Sequence, residues 1–483
     1  MTRRSTASLG ALLIVLVLGP VPRAGAATFT VTKTTDSADG VCDADCSLRE
    51  AITAANAAAG PDTIALPAGT YVLTISDPGD EDANAEGDLD ITDDTTIIGA
   101  GTVDTVIDGN GPMIQERVIT ALTGTPAVSM SGVTVRNGQN PAGNGGIYGG
   151  GALTLGEVRI TANTGFAGAG LTVTGAALTM RDSIISDNTS TGVGGLGGGM
   201  QITGSTVATL TNVAVSGNRA KSDGGGMYLD PYDGGSVTLT NVTVSGNSSD
   251  TYGGGIAHYD DAVSLNNVTI TGNRATSSTP GFGKGGGIYS DGTFAARNTI
   301  IAGNTANQGA PDCWMVDPAP SGGHNLVRDT ADCPGFTGPG DLTGVDPLLG
   351  SLADNGGPTP THALTLGSPA RDTGGADCAA SDQRGVPRTG ICDIGAYEVA
   401  FCLGTLINRV GTSGNDTIVG TSGADGFLAQ GGNDRVKGLG GTDRACLGSG
   451  NDNGAGGGGK DRLIGEQGKD KLRGQAGNDR LKG

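Results

Sequence analysis

The sequence predicts an all-β protein, a parallel β-helix with an N-terminal capping helix followed by a second and smaller stack of coils. Three observations predict it. A strand motif recurs through the middle of the chain, as LTNVAVSGN at 210–218, LTNVTVSGN at 239–247, LNNVTITGN at 265–273 and ARNTIIAGN at 296–304. Glycine triplets at 197, 224, 253 and 285 separate the copies, so the period is 26 to 31 residues. Near the C-terminus eight aspartates stand nine residues apart. The composition agrees: 90 of 483 residues are glycine and 3% are aromatic, while Val, Ile, Leu and Thr fall in short alternating runs that suit strands and tight turns.

At the N-terminus, residues 1–26 read as a secretory signal peptide. Arg3 and Arg4 precede an apolar run from Leu9 to Leu18, and Ala24-Gly25-Ala26 offers a cleavage site before Ala27. The run is too short for a membrane span, and no later stretch approaches twenty apolar residues. Eight cysteines, an even number, fall as near neighbours, Cys42 with Cys46, Cys313 with Cys333, Cys378 with Cys392 and Cys402 with Cys446. Such usage fits an oxidising compartment, so the protein is expected to be secreted or at the cell surface. The histidines, His258, His324 and His362, stand apart from every cysteine, so the cysteines read as structural and not as metal ligands. The formal net charge is -20, and 42 of the 49 acidic residues are aspartate. That balance argues against nucleic acid as a partner.

Residues 27–304 are expected to form the β-helix with its cap. Ser47 and Glu50 have capping-box spacing, and Ile52 and Ala55 supply an apolar face to a helix that would cover the first coil and its open strand edges. Coils would begin at Gly69-Thr70-Tyr71-Val72-Leu73. A unit of this length cannot bury its own apolar face, so neighbours must stack, with about three strands per coil. Stacking aligns Asn188, Asn218, Asn247, Asn273 and Asn304 into a ladder of hydrogen-bonded amides. Six residues before each stands a second member, Asp182, Asn212, Asn241, Asn267 or Asn298.

CSLREAITAANAAAGPDTIALPAGTYVLT, residues 46–74, resembles the CSLREA-type start of bacterial surface proteins built on a right-handed parallel β-helix. DPLLGSLADNGGPTPTHALTLGSPARDTGG and DQRGVPRTGICDIGAYE, within 346–398, resemble the choice-of-anchor region that closes them. Residues 305–400 are therefore taken as a C-terminal β-helix and choice-of-anchor-like region, with a linker at 401–410. The resemblance implies an exported protein of the cell surface or extracellular matrix. Its role would be adhesion, glycan contact or structure, with extracellular glycans or surface components as partners.

In residues 411–483 the aspartates are Asp416, Asp425, Asp434, Asp443, Asp452, Asp461, Asp470 and Asp479. Two positions before each stands a glycine, Gly414, Gly423, Gly432, Gly441, Gly450, Gly459, Gly468 or Gly477. Two positions after most stands an apolar residue, such as Ile418, Phe427, Val436 or Leu463. Calcium takes six to eight oxygens, and a glycine-rich turn can aim carbonyls inward beside a carboxylate. Two nonapeptides make one coil, so the aspartates stack in two rows. The segment resembles the RTX, or haemolysin-type, calcium-binding repeats, in copies such as GGNDRVKGL and GKDRLIGEQ. The resemblance implies a parallel β-roll with Ca2+ between its turns. Carboxylates one rung apart, about 5 Å, repel by roughly 3 kcal/mol at an effective dielectric near 20, so the roll is expected to need the ion to fold. Three departures stand out: Thr-Ser in the first two units, the small Ala445, and Asn453-Gly454-Ala455 without a packing residue. The row of Asp434, Asp452 and Asp470 is accordingly expected to be the looser.

For catalysis the sequence offers Asp260-Asp261 beside His258 and Tyr259, and Asp93-Asp94 near Asp88 and Asp90. Paired carboxylates serve glycoside cleavage. The first pair reads as a solvated turn after a glycine triplet and the second as a β-turn before a strand, so no catalytic residue is assigned. A secreted polysaccharide lyase or hydrolase stabilised by calcium is the alternative function.

Overall fold

The structure, a computed structural model, describes residues 25–76, 83–122, 124, 126–318 and 321–483; the signal read at 1–26 lies outside them but for its last two residues. The capping helix spans Leu48–Ala57 and opens as its sequence requires: Ser47 accepts from the Glu50 amide, and the Glu50 side chain accepts from the Ser47 amide. Leu48, Ala51, Ile52 and Ala55 are buried against the first strands. Arg49 is also fully buried. It pairs with Asp36 at 2.9 Å and donates to the carbonyls of Glu86, Gly87 and Asp88, tying the cap to the loop before Leu89–Ile91.

Beyond the cap the chain winds into coils whose strands all pair in parallel with the coil before and after. In one coil the strands are Met200–Gly204, Val207–Thr211, Ala214–Ser216 and Arg219–Ala220. The next repeats them as Met227–Pro231, Ser236–Thr240, Thr243–Ser245 and Ser248–Ser249. The coil therefore has four strand stretches, not three; the fourth, two residues long, follows the ladder asparagine and forms its own seven-stranded sheet. Inward positions align in columns, for example Ile147, Leu171, Met200, Met227, Ile256 and Ile288, all buried. Parallel pairing continues through Cys313–Met315 and Leu326–Val327 to Leu342–Thr343.

The asparagine ladder is continuous. Each of Asn163, Asn188, Asn218, Asn247 and Asn273 donates its backbone N–H and its Nδ2 to the Oδ1 of the next asparagine at 2.9–3.0 Å, ending at Asn304. Asn304 donates in the same way to Asp312 Oδ1. The last rung need only accept, so a carboxylate ends the stack without an orphaned donor. The second series, Asp182, Asn212, Asn241, Asn267 and Asn298, lies in the left-handed region with φ of 50–57°, which Asn and Asp tolerate best. Glycine triplets fill the corner before each coil. Gly253 has φ +60°, and a Cβ on Gly254 would lie 2.4 Å from the backbone of Arg274 in the next coil, so a side chain there would push the coils apart.

After the last coil the chain returns along the flank of the helix as a strap. Gly375 donates to Asn298 Oδ1 at 2.8 Å, and Ala379 donates to Asn267 Oδ1 at 2.9 Å. Asn241 donates to the Ser381 carbonyl, Thr243 to Gln383 Oε1 at 2.7 Å, and Thr359 to the Asn212 carbonyl. Asn241, Asn267 and Asn298 thus point their side-chain amides at the strap, whereas Asn212 meets it through its backbone carbonyl. Arg384, fully buried against Asp382 and over the Tyr397 ring, donates to the Glu398 and Ile407 carbonyls and links the strap to the start of the roll.

The C-terminal segment is a two-sheet roll. One sheet holds Arg409–Val410, Gly426–Leu428, Arg444–Cys446, Arg462–Ile464 and Arg480–Lys482; the other holds Thr417–Val419, Arg435–Lys437, Asn453–Gly459 and Lys471–Gly477. Partners are 18 residues apart throughout, such as Ile418 with Val436, so two nonapeptides make one coil. Phe427, Ala429, Val436, Ala445, Leu447 and Leu463 form its narrow core. At Gly454 there is no gap: Leu447, Leu463 and Leu472 close around it to 2.9–3.2 Å of where a Cβ would stand. All four cysteine pairs read from the sequence are disulfides, and Cys402–Cys446 ties the chain entering the roll to its second coil.

Candidate functional site

The roll brings its aspartates into two rows by the register just described. Within a row, the backbone N–H of each aspartate donates to Oδ1 of the aspartate one coil on, from Asp416 to Asp434 at 2.8 Å through Asp461 to Asp479 at 3.0 Å. One carboxylate oxygen is thus spent on holding the stack. The other, Oδ2, is buried without any hydrogen-bond partner in Asp434, Asp443, Asp452 and Asp461, each of them 1–2% exposed. An unpaired buried carboxylate oxygen is costly, and a cation is the partner that offsets it.

The electrostatics agree. Burial pushes the Asp443 carboxyl up to about 6, with Asp461 and Asp425 adding to the shift, and burial likewise raises Asp434 and Asp452. Among the described residues no three His, Cys, Asp or Glu side chains gather into a metal-binding group. A cage of these carboxylates and backbone carbonyls is an oxygen-only donor set, which suits Ca2+ and not zinc. The turn glycines explain themselves here. Gly450 has φ +136°, and a Cβ on it would fall 1.6 Å from the Gly432 carbonyl oxygen one coil earlier. Gly432, Gly441, Gly459, Gly468 and Gly477 share that left-handed conformation, whereas Gly414 and Gly423 do not.

A second constellation lies on the outer face of the helix and was not read from the sequence. Register aligns Tyr148, Thr172, Gln201, Tyr228, Ala257, Tyr289 and Trp314 in one outward column. Tyr252 stacks on Tyr289 at 4.5 Å between centroids, Tyr259 lies 5.5 Å from Tyr289 and 5.4 Å from Tyr228, and Phe282 lies 5.5 Å from Tyr252. Lys284 Nζ stands 3.5 Å over the Trp314 ring. In a chain with 16 aromatic residues, six gather at this spot.

Carboxylates line it. Tyr259 Oη donates to Asp223 Oδ2 at 3.0 Å, and Tyr228 Oη to Asp230 Oδ2 at 3.3 Å. Burial and nearby carboxylates raise the Tyr228 and Tyr259 hydroxyls, so both remain protonated donors. Asp230 is also raised, by burial and then by Asp260, which faces it. Toward the N-terminal end the same face opens into a groove of about 460 Å³ lined by Arg117, Tyr148, Phe166, Thr172 and Gln201 among others.

The sequence candidates for catalysis are placed differently. Asp260 is solvent-exposed as expected, yet it lies not in a turn between strands but within the strand Ile256–Asn266, at a register shift with φ +59°. The bulge sends Asp260 toward Asp230 and sends Asp261 Oδ2 to the Gly234 amide at 3.0 Å. His258 points inward, fully buried between Ser290 Oγ and the Asp261 carbonyl at 2.8 and 2.7 Å, and burial lowers its basicity, so it serves structure. Asp93 and Asp94 accept from the amides of Asp94 and Ala127 and do turn the chain into the strand Thr95–Gly99.

Comparison with known proteins accords with both parts of the architecture. Residues 119–306 match the family model "Right handed beta helix region", and residues 410–445 and 447–481 match "RTX calcium-binding nonapeptide repeat". No curated protein matches the chain. Among solved structures it is similar to pectate lyase Pel9A, at 16% identity over 78% of this chain and 97% of that one, with a TM-score of 0.41. It is also similar to the catalytic domain of a GH87 alpha-1,3-glucanase, at 12% identity over 96% and 69%, with a TM-score of 0.28. A PL6 family alginate lyase, AlyGC, aligns at 13% identity over 92% and 71%, with a TM-score of 0.23.

Proposed function

We propose that this calcium-binding right-handed β-helix is an extracellular glycan-contacting protein, whose binding surface is the aromatic column and whose RTX repeats form a calcium-dependent C-terminal module. The observation that carries the reading is the gathering of Tyr228, Tyr252, Tyr259, Tyr289 and Trp314 on one face beside Asp223 and Asp230. The faces of sugar rings carry C–H groups that pack on the negative face of an aromatic ring, and their hydroxyls donate to carboxylates. A column that rises about 4.8 Å per coil presents such partners at a regular repeat along a polymer. Four disulfides and a module that needs calcium suit an extracellular setting, in keeping with the secretory signal read at the N-terminus.

The test is binding of the mature protein to a panel of acidic and neutral polysaccharides, followed by affinity electrophoresis and calorimetry in calcium. Replacing Tyr252 and Tyr289, both partly exposed, together by Ala should abolish retardation by the bound polymer while leaving the circular dichroism spectrum unchanged. Equal retardation of the variant would refute the reading.

One observation favours catalysis as a second reading: Asp260 faces Asp230, whose carboxyl is held above the usual range. Paired carboxylates serve glycoside cleavage. Release of new reducing or unsaturated ends by the wild type, lost in Asp230→Asn, would establish it.

A further inference from the structure

The eight turn aspartates differ in what already occupies Oδ2. In the first coil of the roll that oxygen is taken. Thr412 donates both its backbone N–H and its hydroxyl to Asp416 Oδ2, at 2.6 and 2.9 Å, and Thr421 does the same to Asp425 Oδ2 at the same distances. Each hydroxyl in turn accepts from a turn glycine, Gly414 N at 3.1 Å and Gly423 N at 3.0 Å. Asp425 has its other oxygen engaged as well, by Asn408 Nδ2 at 3.0 Å, with the Arg409 guanidinium at 4.0 Å. In Asp434, Asp443, Asp452 and Asp461 the same Oδ2 is buried and unpartnered.

The difference has a cause in the sequence. Four residues before the aspartate, the six later turns carry Gln430, Leu439, Gly448, Gly457, Glu466 and Gln475, all left-handed with φ between 69° and 105°. Thr412 and Thr421 hold that position in the first two turns and are not left-handed. A β-branched residue disfavours positive φ. The first two turns therefore fold differently and bring an amide and a hydroxyl onto the carboxylate.

We infer that calcium enters the roll only beyond its first coil: Asp434, Asp443, Asp452 and Asp461 ligate it through Oδ2, while Thr412 and Thr421 close the first coil without metal. The inference rests on the calcium reading of the repeats and assigns its sites within this chain. The first coil is also fixed from both ends. The Arg384 side chain holds the Ile407 carbonyl on its entering side, and the Cys402–Cys446 disulfide ties the chain before it to the second coil on its far side. It then acts as a preformed end onto which the later coils add as calcium is bound, in the nearest-neighbour manner of stacked repeats.

Calcium titration of the full mature chain by native mass spectrometry and calorimetry tests this. The wild type is expected to take up four ions, one for each carboxylate oxygen of the roll that is buried and unpartnered. Asp416→Asn with Asp425→Asn should leave that count unchanged, whereas Asp434→Asn with Asp443→Asn should lower the count. Thr412→Gly with Thr421→Gly, which removes the hydroxyls and permits positive φ, should raise it. Hydrogen exchange in chelator gives a readout independent of the variants: Gly426–Leu428 should stay protected while Arg462–Ile464 exchanges faster by about 100-fold. Loss of bound calcium in the Asp416/Asp425 variant, or joint loss of protection at both strands, would overturn the inference. A wild-type chain that binds no calcium would overturn the calcium reading beneath it.

Discussion

Asn218→Ala removes one rung from the interior of the asparagine ladder, and the structure sets its cost. The Asn218 amide is 1% exposed. Its Nδ2 donates to the Ile185 carbonyl at 3.0 Å and to Asn247 Oδ1 at 2.9 Å, and its Oδ1 accepts from both the backbone N–H and Nδ2 of Asn188 at 3.0 Å. Alanine leaves the Ile185 carbonyl and the Asn188 N–H buried without these partners, at about 1–3 kcal/mol each, so a loss of about 3 kcal/mol is expected. Asn307, exposed on the outer turn with a single bond to the Thr276 carbonyl, is the control: Asn307→Ala should cost less than about 0.5 kcal/mol. Asn218→Asp should be worse than alanine, because it keeps the acceptor, loses both donors and buries a charge beside Asn247 Oδ1. Asp312→Asn should cost about 1–3 kcal/mol, because both carboxylate oxygens accept, from Asn304 and from the Asp329 amide, and the new NH2 would face a donor. Urea unfolding followed by circular dichroism in calcium measures all four. An Asn218→Ala midpoint indistinguishable from that of Asn307→Ala would refute the view that the ladder contributes to holding the coils together.

Arg49→Met removes the buried cation that pairs with Asp36 and satisfies three carbonyls of the cap; loss of about 3–5 kcal/mol is expected by urea unfolding, with fraying of the first coil seen by hydrogen exchange. His258 and His362 are both held below the ordinary 6.5 by burial, so the folded state favours their neutral forms. Their contribution is complete above pH 6.5 and is lost as pH falls through the lowered folded values, so thermal stability should drop on acidification below that point, less steeply in His258→Gln with His362→Gln. Magnesium at the same concentration should not replace calcium in ordering Arg462–Ile464, because Mg2+ demands a tighter octahedron and keeps its waters; equal protection in the two ions would contradict the oxygen-cage account. Cys402→Ser with Cys446→Ser should raise the calcium concentration at which the second coil becomes protected, read by the same exchange experiment.

The ladder was legible because its asparagines recur at a fixed place in each copy, six residues after a partner that must turn the chain. Its terminus was not: Asp312 follows Asn304 by only eight residues, inside an irregular turn, and only the stacked geometry reveals it as a rung. The strap escaped for the same reason, since Gln383, Thr359 and Ala379 meet partners more than 110 residues away through isolated polar bonds that leave no periodic trace. Tyr228 and Tyr289 were invisible as a pair because Ala257 stands between them in the column, and unequal loops disguise the spacing. Asp260 was misplaced because a bulge within a long strand looks, in sequence, like a turn. In the roll the aspartate period gave the rows directly. Which carboxylate oxygens remain unpaired depended on Thr412 and Thr421, whose hydroxyl bonds become evident only once the turn conformation is known.

Crystals of the mature protein grown in millimolar calcium, with anomalous scattering from the ion, test the account most directly. Peaks are expected beside Oδ2 of Asp434, Asp443, Asp452 and Asp461, with none beside Asp416 or Asp425. Peaks at the first two turns, or bare carboxylates at the four buried ones, would contradict it.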